Sequence, residues 1–288
     1  MSKQHRAELA LAGVTFLWGT TFVVVKSALE DVSTILFLTL RFLVAGLVLL
    51  LVYRRKLQRA GLLPGIGAGA LLFISYVFQT KGLELTSASK SAFLTGLSIP
   101  MVPLASSLVY RNRPRIAEVA GIVVATFGMA LMTLPPGRFA MDRGDILSFF
   151  CAVTFALHIV VVSHYSPVVG FETVAVTQVI TAAALGLLTF GWVEPVRLSA
   201  NAGVATAVLV TGLLATAVAF TVMAWAQNYT SATRSALIFS LEPVVAWTTS
   251  WLMLGEVLPV RGRVGAAVIL LGILLVEMRR GGVETNVT

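Results

Sequence analysis

Stretches of about twenty residues in which apolar side chains run on almost without interruption recur along this chain, and they leave few folds open. The stretch from Ile35 to Tyr53 holds one charged residue, Arg41, and the stretch from Ala202 to Ala226 holds none. A helix rises about 1.5 Å per residue, so about twenty residues cross the roughly 30 Å of hydrocarbon in a bilayer. Buried strands of soluble proteins stop at about 4–8 residues. Over the whole chain 57% of residues are apolar and 12% charged, where soluble domains carry about 25% charged residues. The chain therefore reads as an all-α integral membrane protein. Loop punctuation divides it into ten spans, at about 8–28, 33–53, 63–82, 86–110, 115–134, 146–164, 171–192, 203–226, 231–254 and 262–278, each end uncertain by about 2–4 residues.

The ninth span opens on Ser231-Ala232-Thr233-Arg234-Ser235-Ala236, and nearly the same string, Ser87-Ala88-Ser89-Lys90-Ser91-Ala92, opens the fourth span 144 residues earlier, half of 288. Gly121 and Gly128 in the fifth span match Gly265 and Gly272 in the tenth at the same spacing. One unit is written twice, over residues 1–137 and 138–288, with the polar stretch from Pro135 to Asp145 at the midpoint. Five spans per unit is an odd number, so the second copy should sit upside down in the membrane, the inverted repeat of many secondary transporters.

The formal charge of +8 would suggest nucleic acid for a soluble chain. Here the cations fall in short loops between spans: Lys3, Arg6, Arg54, Arg55, Lys56, Arg59, Arg111, Arg113 and Arg115 all share one side. The positive-inside rule makes that side the cytoplasm, with both termini inside. The second half argues less strongly, since residues 164–172 carry no Lys or Arg while Arg261 and Arg263 would face outward. The first apolar run, Ala7 to Val25, exceeds the 7–15 residue core of a cleavable signal and reads as a retained span. The single cysteine, Cys151, allows no internal disulfide and reads as packing.

Enzyme chemistry finds no support. His5, His158 and His164 are scattered, no acid pair lies inside a span, and no phosphate-binding loop, nucleophile motif or metal-ligand spacing occurs, so no cofactor or metal is expected. Transport leaves other marks: ionisable groups within spans, broken helices near the midplane, and aromatics around a cavity. The ionisable candidates are Arg41, Lys90, Arg234 and Glu242, with His158 and Lys26 behind them. Glu242 lies about halfway along the ninth span, and Pro243 after it frees the carbonyl of Phe239; Pro100 does the same for Gly96 in the fourth. The acid stands in one half only, because Ile99 precedes Pro100. Thr15, Trp18 and Phe22 share one side of the first helix, and Tyr76 and Gln79 one side of the third. Structural roles compete at each position: Arg41 can pair with an acid or lipid phosphate, Glu242 can join two helices, Lys90 and Arg234 can reach toward water, and Trp225 can be an interfacial anchor. Gly61, Gly65 and Gly69 stack on one face of the third helix and read as a packing surface.

Several motifs together are similar to one family. Trp18-Gly19-Thr20-Thr21-Phe22 with Lys26, Arg41-Phe42, Gln79-Thr80-Lys81-Gly82-Leu83 leading to Ser87-Ala88-Ser89-Lys90, and Leu241-Glu242-Pro243 with Leu254-Gly255-Glu256 resemble the EamA family of the drug/metabolite transporter superfamily. The resemblance spans essentially the whole chain. It implies a ten-helix inner-membrane carrier with a central cavity lined by the first, third, fourth, sixth, eighth and ninth helices, which here hold Trp18, Tyr76, Gln79, Lys90, His158, Trp225 and Glu242. Members mostly export amino acids, related metabolites and toxic organic compounds. The expectation is an exporter of small organic solutes working by alternating access in the lipid bilayer, with a proton as the candidate coupling ion and Glu242 as its carrier. A uniporter is the alternative to proton coupling, and a carrier of anionic, phosphorylated metabolites and a channel are the alternatives to the exporter; oligomeric state is left open.

Overall fold

A computed structural model describes residues 2–85, 88–111, 114–134, 142–254 and 259–278. Thirteen α-helices account for most of the described residues: α1 Lys3–Ala28, α2 Thr34–Tyr53, α3 Leu62–Leu85, α4 Ala88–Gly96, α5 Ser98–Tyr110, α6 Ile116–Thr133, α7 Arg143–Val169, α8 Phe171–Thr189, α9 Ala202–Gly212, α10 Ala219–Ala226, α11 Ala232–Phe239, α12 Glu242–Leu254 and α13 Val260–Met278. A π-helical turn, Leu213–Val218, joins α9 to α10. Since α4 and α5, α9 and α10, and α11 and α12 continue one another, the helices form ten rods, and among the described residues there is no strand. Among the described residues seven helical stretches are long and apolar enough to cross a membrane, and Ile116–Met132 is a shorter apolar helix. The division at residue 137, together with Ser87 of the first repeated string and Gly255-Glu256, lies outside the described residues.

Local chemistry explains where the rods begin and break. Ser2, Asn201 and Ser231 each accept a backbone N–H from the first turn of the following helix, and Asp142 and Asp145 cap α7 reciprocally. The interruption between α4 and α5 falls at Leu97, and the one between α11 and α12 at Ser240–Leu241. Each comes about one turn before a proline, Pro100 or Pro243, whose ring removes the backbone donor that would continue the ladder.

Glycines set how closely the rods approach. A methyl carbon on Gly61, just before α3, or on Gly65 of α3 would stand 2.6 Å from Thr173 or 2.5 Å from Thr177 of α8, and one on Gly69 would press on the Gln178 carbonyl oxygen. Contacts that advance together along both chains mean that α3 and α8 run parallel. In the other seam, a carbon on Gly128 of α6 would meet the Gly265 oxygen of α13 at 2.7 Å, one on Gly265 the Gly128 oxygen at 2.6 Å, and one on Gly272 the Gly121 oxygen at 2.7 Å. Here the contacts run in opposite directions, so α6 and α13 are antiparallel.

Two clips close the ends of the bundle. At the face bearing the start of α1, Lys56 pairs with Glu172 at 3.1 Å and the Gln58 N–H donates to Thr173 Oγ1 at 3.1 Å, tying the α2–α3 connection to the α7–α8 turn. At the opposite face, Ser33 N–H donates to Arg197 O at 2.9 Å and Ser199 N–H to Asp31 O at 2.7 Å, tying the α1–α2 turn to the α8–α9 connection. Asn201 Nδ2 donates to Asp31 Oδ2 at 2.7 Å, and Lys81 pairs with Glu194 beside them.

Candidate functional site

The interior is built around Arg41. Its side chain, 3% exposed, leaves α2 two turns beyond the Ser33 cap, at a depth where an isolated charge is costly. Nε donates to Thr216 Oγ1 at 2.6 Å, and Nη2 donates to the Tyr76 hydroxyl at 3.0 Å and to the Ala215 carbonyl at 3.3 Å. The guanidinium carbon also lies 4.5 Å from the Tyr76 ring centre, a cation–π contact of roughly 2 kcal/mol when desolvated. Among the described residues no carboxylate stands within ion-pair distance of it. The guanidinium is thus oriented by neutral acceptors while its charge stays uncompensated by any close acid.

The π turn makes this possible. Thr216 Oγ1 donates to Thr211 O, five residues back, at 2.8 Å, which closes the wide turn and turns its second lone pair toward Arg41. The Ala215 carbonyl in the same turn accepts from Trp18 Nε1 of α1 at 2.9 Å. Trp18 packs against Phe220 and Phe239 with ring centres at 5.4 and 5.2 Å, and Tyr76 packs against Phe42, Phe155 and Phe220 at 5.6, 5.4 and 6.3 Å. An aromatic shell drawn from both halves of the chain thereby surrounds one cation.

Glu242 begins α12 just after the break and is half-buried. Its carboxyl lies within electrostatic reach of the Tyr76 hydroxyl and the buried Cys151 thiol, and among the described residues no cation pairs with it. Tyr76 thus donates no contact to Glu242 among the described hydrogen bonds but shares its electrostatic neighbourhood while touching the Arg41 guanidinium. His158 is fully buried; its Nε2 lies 2.7 Å from Gln178 Oε1, and its ring meets Phe220 edge-on at 5.7 Å. His158 Nδ1 and Gln178 Nε2 have no protein partner among the described residues, which leaves two buried polar atoms open to water or solute.

Of the residues singled out from the sequence, Trp18, Tyr76, His158 and Glu242 thus come together in the interior. Thr15 turns its hydroxyl back to Leu11 O at 2.9 Å within α1. Gln79 is half-buried one turn beyond Tyr76, and the side chains of Phe22 and Lys90 lie outside the described residues. Trp225 packs on Tyr229 at 5.5 Å near the face bearing the start of α1. Arg234 sits at that same face, donating from Nε to Glu118 Oε1 at 3.0 Å and pairing through Nη1 with Glu8 Oε1 at 3.5 Å, so it joins α11 to α6 and α1. The sequence offers Arg41 as a partner for an acid or a lipid phosphate; its partners are instead a tyrosine, a threonine and a carbonyl. The sequence does not mark Gln178 or the π turn, and its one signal for the latter is the pair of threonines, Thr211 and Thr216, five apart.

The EamA-like transporter family matches this chain twice, over residues 5–134 and 142–278. The chain belongs to that family. Similar proteins include an uncharacterized transporter of Archaeoglobus fulgidus, 34% identical over 96% of this chain and 87% of the relative, and the uncharacterized transporter YoaV of Bacillus subtilis, 24% identical over 93% and 95%. A chloroplastic WAT1-related protein of Arabidopsis thaliana is 23% identical over 92% of this chain and 68% of its own length. A crystal structure of another protein superposes with a TM-score of 0.81 at 19% identity, covering 98% of this chain and 99% of that one, which establishes a shared fold. EamA membership makes this a multi-pass membrane transporter of small solutes, and not an enzyme.

Proposed function

We propose that the chain is an alternating-access exporter of small zwitterionic organic solutes, amino acids and their relatives, with the solute held between Arg41 with Tyr76 on one side and Glu242 on the other. The observation that carries this reading is the buried Arg41, held by Tyr76 and with no close acid among the described residues, with Glu242, which has no cation partner among them, within electrostatic reach of the same Tyr76 hydroxyl. A carboxylate completes the guanidinium fork, an ammonium answers Glu242, and the aromatic shell takes the apolar part. Glu242 is also the proposed proton carrier, since it cannot both hold a proton and pair with the solute's ammonium.

The proposed architecture is two five-helix halves, residues 1–137 and 138–288, related by a twofold axis in the membrane plane. The glycine seam supports it: if Gly121 and Gly128 correspond to Gly265 and Gly272, the contact from Gly128 to Gly265 and the contact from Gly121 to Gly272 are copies of each other. The two end clips support it as well, because each joins the connection after the second rod of one half to the first turn of the other. The proposed placement is the inner membrane with both termini in the cytoplasm, on the strength of the basic loops of the first half. A phosphorylated solute is favoured less, because Arg234 is already engaged by two carboxylates.

Flux into and out of proteoliposomes tests the reading. A panel of amino acids is expected to show saturable counterflow, and Glu242→Gln is expected to abolish the response to an imposed pH gradient. Transport by Glu242→Gln that is normal with and without the gradient would remove Glu242 as the coupling group, and transport of carboxylates unaffected by Arg41→Gln would remove the central site.

A further inference from the structure

A cavity of about 390 Å3 opens at the face bearing the start of α1, between α5, α6, α7 and α11. It is lined among others by Tyr110, Glu118, Ser163, His164, Ser231 and Thr233, and it lies apart from the Arg41 cluster. Two of its walls are chemically specific. The rings of Tyr110 and His164 are stacked, with centres 3.7 Å apart and planes 7° from parallel. Glu118, 6% exposed, lines the cavity too; its Oε2 accepts the Arg115 N–H at 2.9 Å and its Oε1 accepts from Arg234 Nε at 3.0 Å. Each carboxylate oxygen can accept more than one hydrogen bond, so Glu118 keeps acceptor capacity facing the cavity.

We propose that this cavity is an access site that captures solutes by their ammonium group, with Glu118 as the anionic partner and the Tyr110–His164 stack as the surface for the apolar or aromatic part. A carboxylate beside an aromatic wall favours an organic cation and disfavours a free carboxylate, so solutes enter ammonium-first. Because Arg234 uses the same Glu118 to tie α11 to α6, an ammonium arriving there competes with Arg234 Nε, and occupancy loosens the tie between the two halves. The proposal rests on the solute-carrier reading but not on the Arg41 site, which recognises the other end of the molecule.

The test uses purified protein in lipid nanodiscs with a reporter thiol at the cavity, Ser163→Cys; the native Cys151 is fully buried and serves as the silent background. Millimolar phenethylamine is expected to slow maleimide labelling of the reporter several-fold, while phenylpropionate, which lacks the ammonium, leaves it unchanged. Adding Glu118→Gln should abolish the protection and Glu118→Asp restore part of it, whereas Arg41→Gln should leave it intact. Tyr110→Leu, which spares the carboxylate and the Arg234 tie, should cut the protection and keeps the test open if Glu118→Gln does not fold. Equal labelling with and without phenethylamine, or protection that survives Glu118→Gln or Tyr110→Leu, overturns the access site. Carboxylate transport unaffected by Arg41→Gln would overturn the central site alone and leave this result standing.

Discussion

At the scale of single residues, the Arg41 fork decides how the interior works. Three of its donor contacts go to groups on α3 and on the π turn, so its orientation depends on a planar guanidinium and not on charge alone. Arg41→Lys keeps the charge as a point and cannot serve Thr216 and Tyr76 together. The expected result is a folded protein whose kcat/KM for carboxylate solutes falls at least about ten-fold, the equivalent of one lost charge-assisted bond; wild-type flux in proteoliposomes would count against the fork. Tyr76→Phe removes the hydroxyl that Arg41 Nη2 meets and is expected to lower stability by about 1–3 kcal/mol, read as an earlier thermal unfolding in detergent. Arg41 was legible in the sequence as an expensive charge, because cost depends only on depth. Its partners were not, since Ala215 and Thr216 stand 174 and 175 positions away and nothing local records such a pairing.

At the scale of elements, the same residue type has opposite value in different places. A side-chain carbon at Gly265 would press on backbone, the Gly128 oxygen at 2.6 Å and the Met132 nitrogen at 2.7 Å, and neither can move without parting α6 from α13. Gly67, on the outer side of α3, meets nothing within 4 Å. Gly265→Ala is therefore expected to destabilise by roughly 1–3 kcal/mol through overpacking, while Gly67→Ala stabilises by about 0.5–1 kcal/mol through helix propensity. Thermal unfolding of both variants in one detergent checks the pair, and a Gly265→Ala variant as stable as the parent would show that the seam tolerates separation. Close-packing glycines were readable beforehand because Gly61, Gly65 and Gly69 fall on one helix face, a pattern set by the helical period. The π turn was not, because Leu213-Leu214-Ala215-Thr216-Ala217-Val218 suits an ordinary helix, and the wide turn is fixed by the Thr216 bond to Thr211 and the donors that converge on it. The helix breaks lie between these cases: proline marks them locally, but which polar groups face the gap depends on rods elsewhere in the chain.

At the scale of the whole molecule, the contacts divide into those that build a frame and those that close a mouth. The glycine faces lock α3 to α8, and the end clips bind the α1–α2 turn to the α8–α9 connection by backbone hydrogen bonds and the α2–α3 connection to the α7–α8 turn by side chains. Backbone-to-backbone bonds of this sort cannot be exchanged for solute contacts, so this frame is expected to stay closed throughout a transport cycle. Arg234, by contrast, holds α11 to α1 and α6 through side chains alone, next to a cavity whose walls are Ser163 of α7 and Thr233 of α11. A cross-link between cysteines at positions 31 and 201, spanning the Asp31–Asn201 bond, should leave most of the transport rate intact. A short bifunctional thiol reagent joining Ser163→Cys to Thr233→Cys should instead stop transport, with recovery on reduction of a cleavable linker. If the first cross-link abolished flux and the second did not, the moving boundary would run through the clips and not through the mouth that Arg234 closes.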